Sequence, residues 1–173
     1  MKNILKILTV LVITLSSISC SKDGAEGASG KDGVNLANNT GFDVTNTTGQ
    51  TITTSTITPV TFENEITDDA NAFNTSTSEW RIPSTGFYNI IAKVSFLNNF
   101  PVNTTGVIYI YKNGVLFKSI GQPINVVAGL SISTNTKLNQ NDVIKIYILH
   151  NSLTSNTLKT GSDNCSFSGY RVY

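Results

Sequence analysis

From about residue 41 onward, apolar and polar positions alternate in short runs broken by turn formers, the pattern of half-buried β-strands. In 88–96, one face carries Tyr88, Ile90, Ala92, Val94 and Phe96, and the other Asn89, Ile91, Lys93 and Ser95. Such a strand has one dry and one wet side. The runs predict strands over 59–66, 78–82, 87–97, 107–112, 115–120, 129–138, 142–150 and 166–173. Turn signals separate them, at Asn46-Thr-Thr-Gly49, Thr67-Asp-Asp-Ala70, Pro83-Ser-Thr-Gly86, Pro101-Val-Asn103, Asn113-Gly114 and Asn139-Gln-Asn141. Asn113-Gly114 is the strongest, because Asn and Gly supply the two positive φ angles of a type I′ hairpin turn. No segment keeps a helical apolar period beyond about two turns. Many short strands in one stretch suit a sandwich or jelly roll.

Two strands are apolar on both sides. Ile144, Ile146 and Ile148 oppose Val143, Tyr147 and Leu149, which share their side with Lys145; Ile108 and Ile110 oppose Val107, Tyr109 and Tyr111. A two-sheet sandwich needs only one apolar face per strand. The second face calls for cover, either by the chain's own loops or by another subunit. Its tyrosines favour a subunit, since interfaces are rich in Tyr.

Residues 1–19 have a different character. Lys2 and Lys6 precede an apolar run, 7–15, too short for a membrane-spanning helix, which takes about 20 residues. This is the pattern of a secretory signal peptide. It ends in Ser17-Ile18-Ser19-Cys20, which resembles a bacterial lipobox and makes Cys20 the predicted lipid attachment point. Acylation there would anchor the chain through several hydrocarbon chains. Ser21 in place of Asp points to the outer membrane, at its periplasmic or its cell-surface face. Residues 20–40 then form a spacer in which glycine recurs every third position from Gly24 to Gly33, a collagen-like pattern too short for a stable triple helix. A flexible Gly-rich spacer is the simpler reading of it.

Composition narrows the chemistry. Thr, Asn and Ser make up 61 of 173 residues, and charged residues only 13% against the usual 25% or so. The net charge of +1 lacks the basic footprint that nucleic-acid binding requires. One His and two Cys cannot build a structural zinc site or a disulfide framework within one chain.

The ordered set Val60-Thr-Phe62-Glu-Asn-Glu65, Ala72-Phe73-Asn74, Trp80-Arg-Ile-Pro83-Ser-Thr-Gly86-Phe-Tyr88, Lys112-Asn113-Gly114, Leu138-Asn-Gln-Asn-Asp142-Val143 and Ser166-Phe167-Ser168-Gly169-Tyr170 resembles the complement C1q-like globular domain of the C1q/tumour-necrosis-factor superfamily. It covers 41–173. Trp80 stands where that pattern usually has Phe, and Asn141 where it has Gly, a mild exchange because Asn also tolerates a left-handed turn. The resemblance implies an all-β, ten-stranded jelly-roll sandwich forming a homotrimer behind a collagen-like stalk, with trimer closure covering the second apolar faces. Phe62, Trp80, Pro83, Gly86, Tyr88, Asn113, Gly114, Asp142, Phe167 and Gly169 are then fold-defining rather than ligand-binding.

Few residues are left for other chemistry. Glu63, Glu65, Asp68 and Asp69 place four carboxylates within seven positions, Glu63 and Glu65 on one strand face and the Asp pair in a turn. Hard oxygen ligands of this kind suit calcium, although the Asp-x-Asp-x-Asp-Gly spacing of a calcium loop is absent. His150 reads as a solvated or capped group, and Cys165 as a small buried hydrophobe. A glycan hydrolase would need two carboxylates facing across a cleft, whereas these cluster in one segment. The expected function is non-enzymatic: a lipid-anchored trimeric module binding a protein or glycan multivalently. The rival is a purely structural trimerisation or surface-assembly protein.

Overall fold

The computed structural model describes residues 40–124 and 129–173. Among them lie thirteen strands. In chain order they are β1 (Phe42–Thr45), β2 (Thr51–Ile52), β3 (Thr58–Pro59), β4 (Asn64–Asp68), β5 (Phe73–Asn74), β6 (Glu79–Arg81), β7 (Gly86–Ser95), β8 (Thr105–Lys112), β9 (Val115–Pro123), β10 (Gly129–Leu138), β11 (Val143–His150), β12 (Asn156–Thr157) and β13 (Ser166–Arg171). One sheet runs β10-β7-β13-β1-β4 and the other β5-β6-β11-β8-β9, with β3 also paired to β11; β12 and β2 pair separately. Every pairing is antiparallel. The two five-strand paths make the ten-stranded jelly roll, and the short extra pairs decorate it.

Period-two patterning dictates which side faces inward. In β7, Tyr88, Ile90, Ala92 and Val94 are buried, while Ile91 and Lys93 are exposed. In β11 and β8 the isoleucines at 144, 146, 148, 108 and 110 are all fully buried. Between the sheets Phe42, Trp80 and Phe167 form an aromatic centre, with Phe42 4.5 Å from Trp80 and 4.8 Å from Phe167, ring centre to ring centre. Tyr88 meets the Trp80 ring edge-on at 5.4 Å. Such tilted and edge-on contacts add about 0.5–1.5 kcal/mol per pair to the burial itself. The β8–β9 hairpin turns on Asn113 and Gly114, at φ 53° and 78°, as their sequence requires.

The single strand expected over 59–66 is instead two strands with a gap. Val60 and Phe62 both enter the core between β3 and β4. Their amides find partners outside a ladder: Val60 N–H donates to the Ile146 carbonyl at 2.9 Å and Phe62 N–H to Ser78 Oγ at 2.9 Å. With these donors satisfied, regular pairing is not needed to bury the segment. Strand β4 in turn runs through Thr67 and Asp68, so the expected turn starts later, with Asp69 N–H bonded to the Gly41 carbonyl and Asn71 at φ 50°.

Candidate functional site

The residues of the C1q-like pattern are packing and turn elements. Asn113 Nδ2 donates to Asp142 Oδ1 at 2.8 Å, and Asn113 Oδ1 accepts from the Val143 amide at 2.8 Å. Asp142 Oδ2 also accepts from the Asn139 amide at 2.9 Å, and Lys112 Nζ lies 3.8 Å away. Burial works to raise the Asp142 pKa, but these hydrogen bonds and the Lys112 charge outweigh it and hold the carboxyl below its ordinary value. Asn141, at φ 70°, takes the left-handed position as anticipated. Tyr88 donates its hydroxyl to the Ser84 carbonyl at 2.7 Å, tying down the Pro83–Gly86 turn. Phe62 and Phe167 are fully buried. A methyl group on Gly169 would sit 2.7 Å from the Trp80 ring and 2.8 Å from Phe42.

The four acidic residues are parcelled out rather than grouped. Glu63 precedes β4 and does not share a strand face with Glu65; it accepts from the Thr47 amide at 2.8 Å and from the Thr48 hydroxyl. Burial pushes its pKa up, yet these bonds prevail and lower it. Asp68 lies on β4, not in a turn, and caps the start of β5 by accepting from Phe73 N–H at 2.7 Å. Asp69 lies beside Gly41, and Glu65 points into a groove described below. The reason is local: the loop amides around 47 and 73 draw carboxylates apart that sequence proximity would group. Among the described residues, no three His, Cys, Asp or Glu side chains are placed to hold one metal ion. Cys20 and the Gly-rich spacer lie outside the described residues.

Of the two expectations for His150, solvated or capped, the first fails: the ring is fully buried and both its nitrogens have partners. Its Nε2 lies 3.1 Å from the Ile52 carbonyl and its Nδ1 3.0 Å from Ser152 Oγ. Phe96 and Phe100 enclose the ring, centred 5.6 and 5.0 Å away. Ser152 is buried too and donates to the Thr154 carbonyl. Sealed from solvent, this Ser–His pair pins the segments around 52 and 152 together. Cys165 is a free, buried thiol whose pKa burial raises, so it acts as a small core residue.

Two open surfaces remain. On the outer side of β8 and β11, Tyr147 is paired with Tyr109, and Lys145 with Tyr111. The Tyr111 ring lies 4.4 Å from Tyr147 and 6.3 Å from Tyr109, so the tyrosines half-bury one another. Burial, with the neighbouring Tyr111, raises the Tyr109 pKa. Part of the second apolar face therefore covers itself. Strand β9 does not: it is exposed along nearly its whole length and forms the sheet edge, with Val115 69%, Leu116 51% and Ile120 42% exposed.

The second open surface is a groove of about 570 Å³ walled by β4, β5 and β6. It gathers Glu65, Asn74, Glu79 and Arg81 in a mostly polar lining, with Pro83 partly exposed and Phe73 buried beneath. Glu79 Oε1 accepts from Lys145 Nζ at 3.3 Å. The sequence reading did not single out Asn74, Glu79 or Arg81 as functional. The β5–β6 hairpin, with Phe73 opposite Trp80, folds them toward Glu65, and the only hint was the polar Asn71–Ser78 stretch beside a tryptophan. Glu65 is exposed and Glu79 partly so beside Lys145, whereas the general acid of a glycan hydrolase needs a desolvated carboxyl.

An all-β chain of two five-strand antiparallel paths closing over an aromatic centre is a jelly-roll sandwich, and its structural neighbours make that fold C1q/TNF-like. Solved structures of that fold are similar to it. The globular domain of zebrafish complement 1qA protein superposes with a TM-score of 0.58 at 16% identity, over 78% of this chain and 98% of that one. Eiger TNF from S. frugiperda gives 0.58 at 10% identity, over 78% and 93%. Murine APRIL at pH 5.0 gives 0.56 at 15% identity, over 78% and 99%. No family model and no curated protein matches the chain.

Proposed function

We propose that the chain is a non-enzymatic recognition module, lipid-anchored through Cys20 in the outer membrane and acting as a homotrimer of C1q-like heads on a short spacer. The observation that carries the trimer is β9, a nine-residue exposed edge strand bearing Val115, Leu116 and Ile120. A long edge with unpaired backbone groups and apolar side chains invites another chain unless something covers it. A second and third copy supply that cover in a closed ring, the symmetry that the C1q resemblance implies. The lipid anchor is supported by the short apolar leader ending at Cys20, and the outer membrane by Ser21. Three heads held at one base gain avidity for a repeated ligand, so weak single contacts suffice.

Light scattering coupled to size exclusion tests the assembly on the full chain in mild detergent. A protein mass three times that of one chain is expected, and a clean monomer overturns the proposal. Large polydisperse species favour the surface-assembly rival instead. A ligand screen with and without calcium follows on the trimer.

A further inference from the structure

The β4–β5–β6 groove carries polar chemistry that the packing of the sandwich does not use. Its volume, about 570 Å³, falls within the range of about 300–1,000 Å³ for small-molecule sites. Glu65 and Arg81 are exposed and form no ion pair among the described residues. Glu79 gives Oε1 to Lys145 and keeps Oε2 open. Asn74 uses Oδ1 to accept from the Ser76 and Thr77 amides at 2.9 and 3.2 Å, so it offers the groove only its Nδ2 donors. Carboxylate acceptors and the donors of Arg81 and Asn74 thus line one largely polar groove, with Pro83 partly exposed in its wall and Phe73 and Ile82 buried beneath it.

The charge balance selects among ligands. Two carboxylates stand against Arg81 and the adjacent Lys145, so the groove favours neither a phosphate nor a polycation. A ligand with many hydroxyls and no net charge fits both lists of partners. Vicinal hydroxyls donate to the carboxylates, charge-assisted bonds that are stronger than neutral ones. Arg81 and Asn74 donate to hydroxyl and ring oxygens, and the partly exposed Pro83 ring is the apolar surface left for the C–H face of a pyranose. We propose that this groove binds a neutral mono- or disaccharide unit of a glycan. The inference rests on the recognition reading above and names its ligand class and its site.

Saturation-transfer difference NMR, backed by calorimetry, tests it on the full chain in a detergent without a sugar head group. The probes are maltose, cellobiose, lactose and N,N′-diacetylchitobiose at millimolar concentration, with a zwitterionic Lys-Ala-Glu tripeptide for comparison. At least one sugar should receive saturation, and Arg81→Gln and Glu79→Gln should each weaken its binding about tenfold by removing a charged hydrogen-bonding group. Leu153→Ser, in an exposed loop, should leave it unchanged, and circular dichroism should be the same for all. The proposal is overturned if no sugar is contacted by folded protein, if neither groove variant matters, or if the tripeptide binds more tightly than every sugar. Light scattering on the same samples keeps the readings apart: a trimer without sugar binding overturns only the glycan site, and a sugar-binding monomer overturns only the trimer.

Discussion

Gly169 shows how one absent methyl group shapes the core. The Trp80 ring and Phe42 occupy the space a Cβ would need, at 2.7 and 2.8 Å, and both are held by other aromatics. Gly169→Ala should therefore destabilise by about 1–3 kcal/mol through overpacking, read as a lower urea midpoint with an unchanged slope. Asp142 makes the second residue-scale case, through pH. Its folded pKa lies below the ordinary value of 3.8. Through that window the unfolded chain binds more protons, so stability is full above about pH 4 and falls as pH drops through the folded pKa. Glu63 acts in the same direction. Asp43 opposes them, because burial raises its pKa more than its bond to the Val44 amide lowers it. Asp142→Asn should flatten the acid limb of stability against pH, measured by thermal melts from neutral pH into the acid range. An unchanged limb would mean that the Asn113–Asp142 lock contributes little.

Among the elements, legibility follows how far local pattern specifies a strand. Strands β7 and β10 alternate apolar and polar positions and β8 and β11 are continuous runs rich in Ile, Val and Tyr; at eight to ten residues, all four are marked by the chain alone. Strand β1 escaped the expected runs: its buried Phe42 and Val44 flank Asp43, and Gly41 and Asn46 bracket it like a turn. It exists because β13 and β4 pair with it from either side. The two-residue strands β2, β5 and β12 are likewise products of tertiary contact, beyond any local pattern. The same limit hid the groove, since Glu65 and Arg81 come together only when β5 folds back on β6. The pinned segment between β3 and β4 gives a test at this scale. Ser78 is buried, sits at φ 53° and accepts from the Phe62 amide. Ser78→Ala leaves that N–H unsatisfied and should cost about 1–3 kcal/mol. Ser78→Gly keeps the backbone free to adopt the positive φ, so comparing the two by chemical denaturation separates the lost bond from backbone strain.

At the scale of the whole molecule, the question is what an exposed edge strand is for. Soluble sheet proteins blunt their edges with charge, proline or a covering loop. Strand β9 has Lys118 near its middle and Pro123 at its end, yet Val115, Leu116 and Ile120 stay open to solvent. Leu116 is paired with Tyr111, so the edge continues into the tyrosine face of β8. A partner chain seated there would bury apolar side chains whose exposure the monomer gains nothing from. Leu116→Glu should then disassemble the proposed trimer, because a carboxylate buried in an interface without a partner costs several kcal/mol. In an isolated monomer the same change would be nearly neutral, since position 116 is 51% exposed. The expected result is a fall from three chains to one by light scattering, with the unfolding midpoint of the separated chain lowered only by the loss of assembly. If Leu116→Glu stays trimeric, β9 is not the interface and the closing surface lies elsewhere on the sandwich.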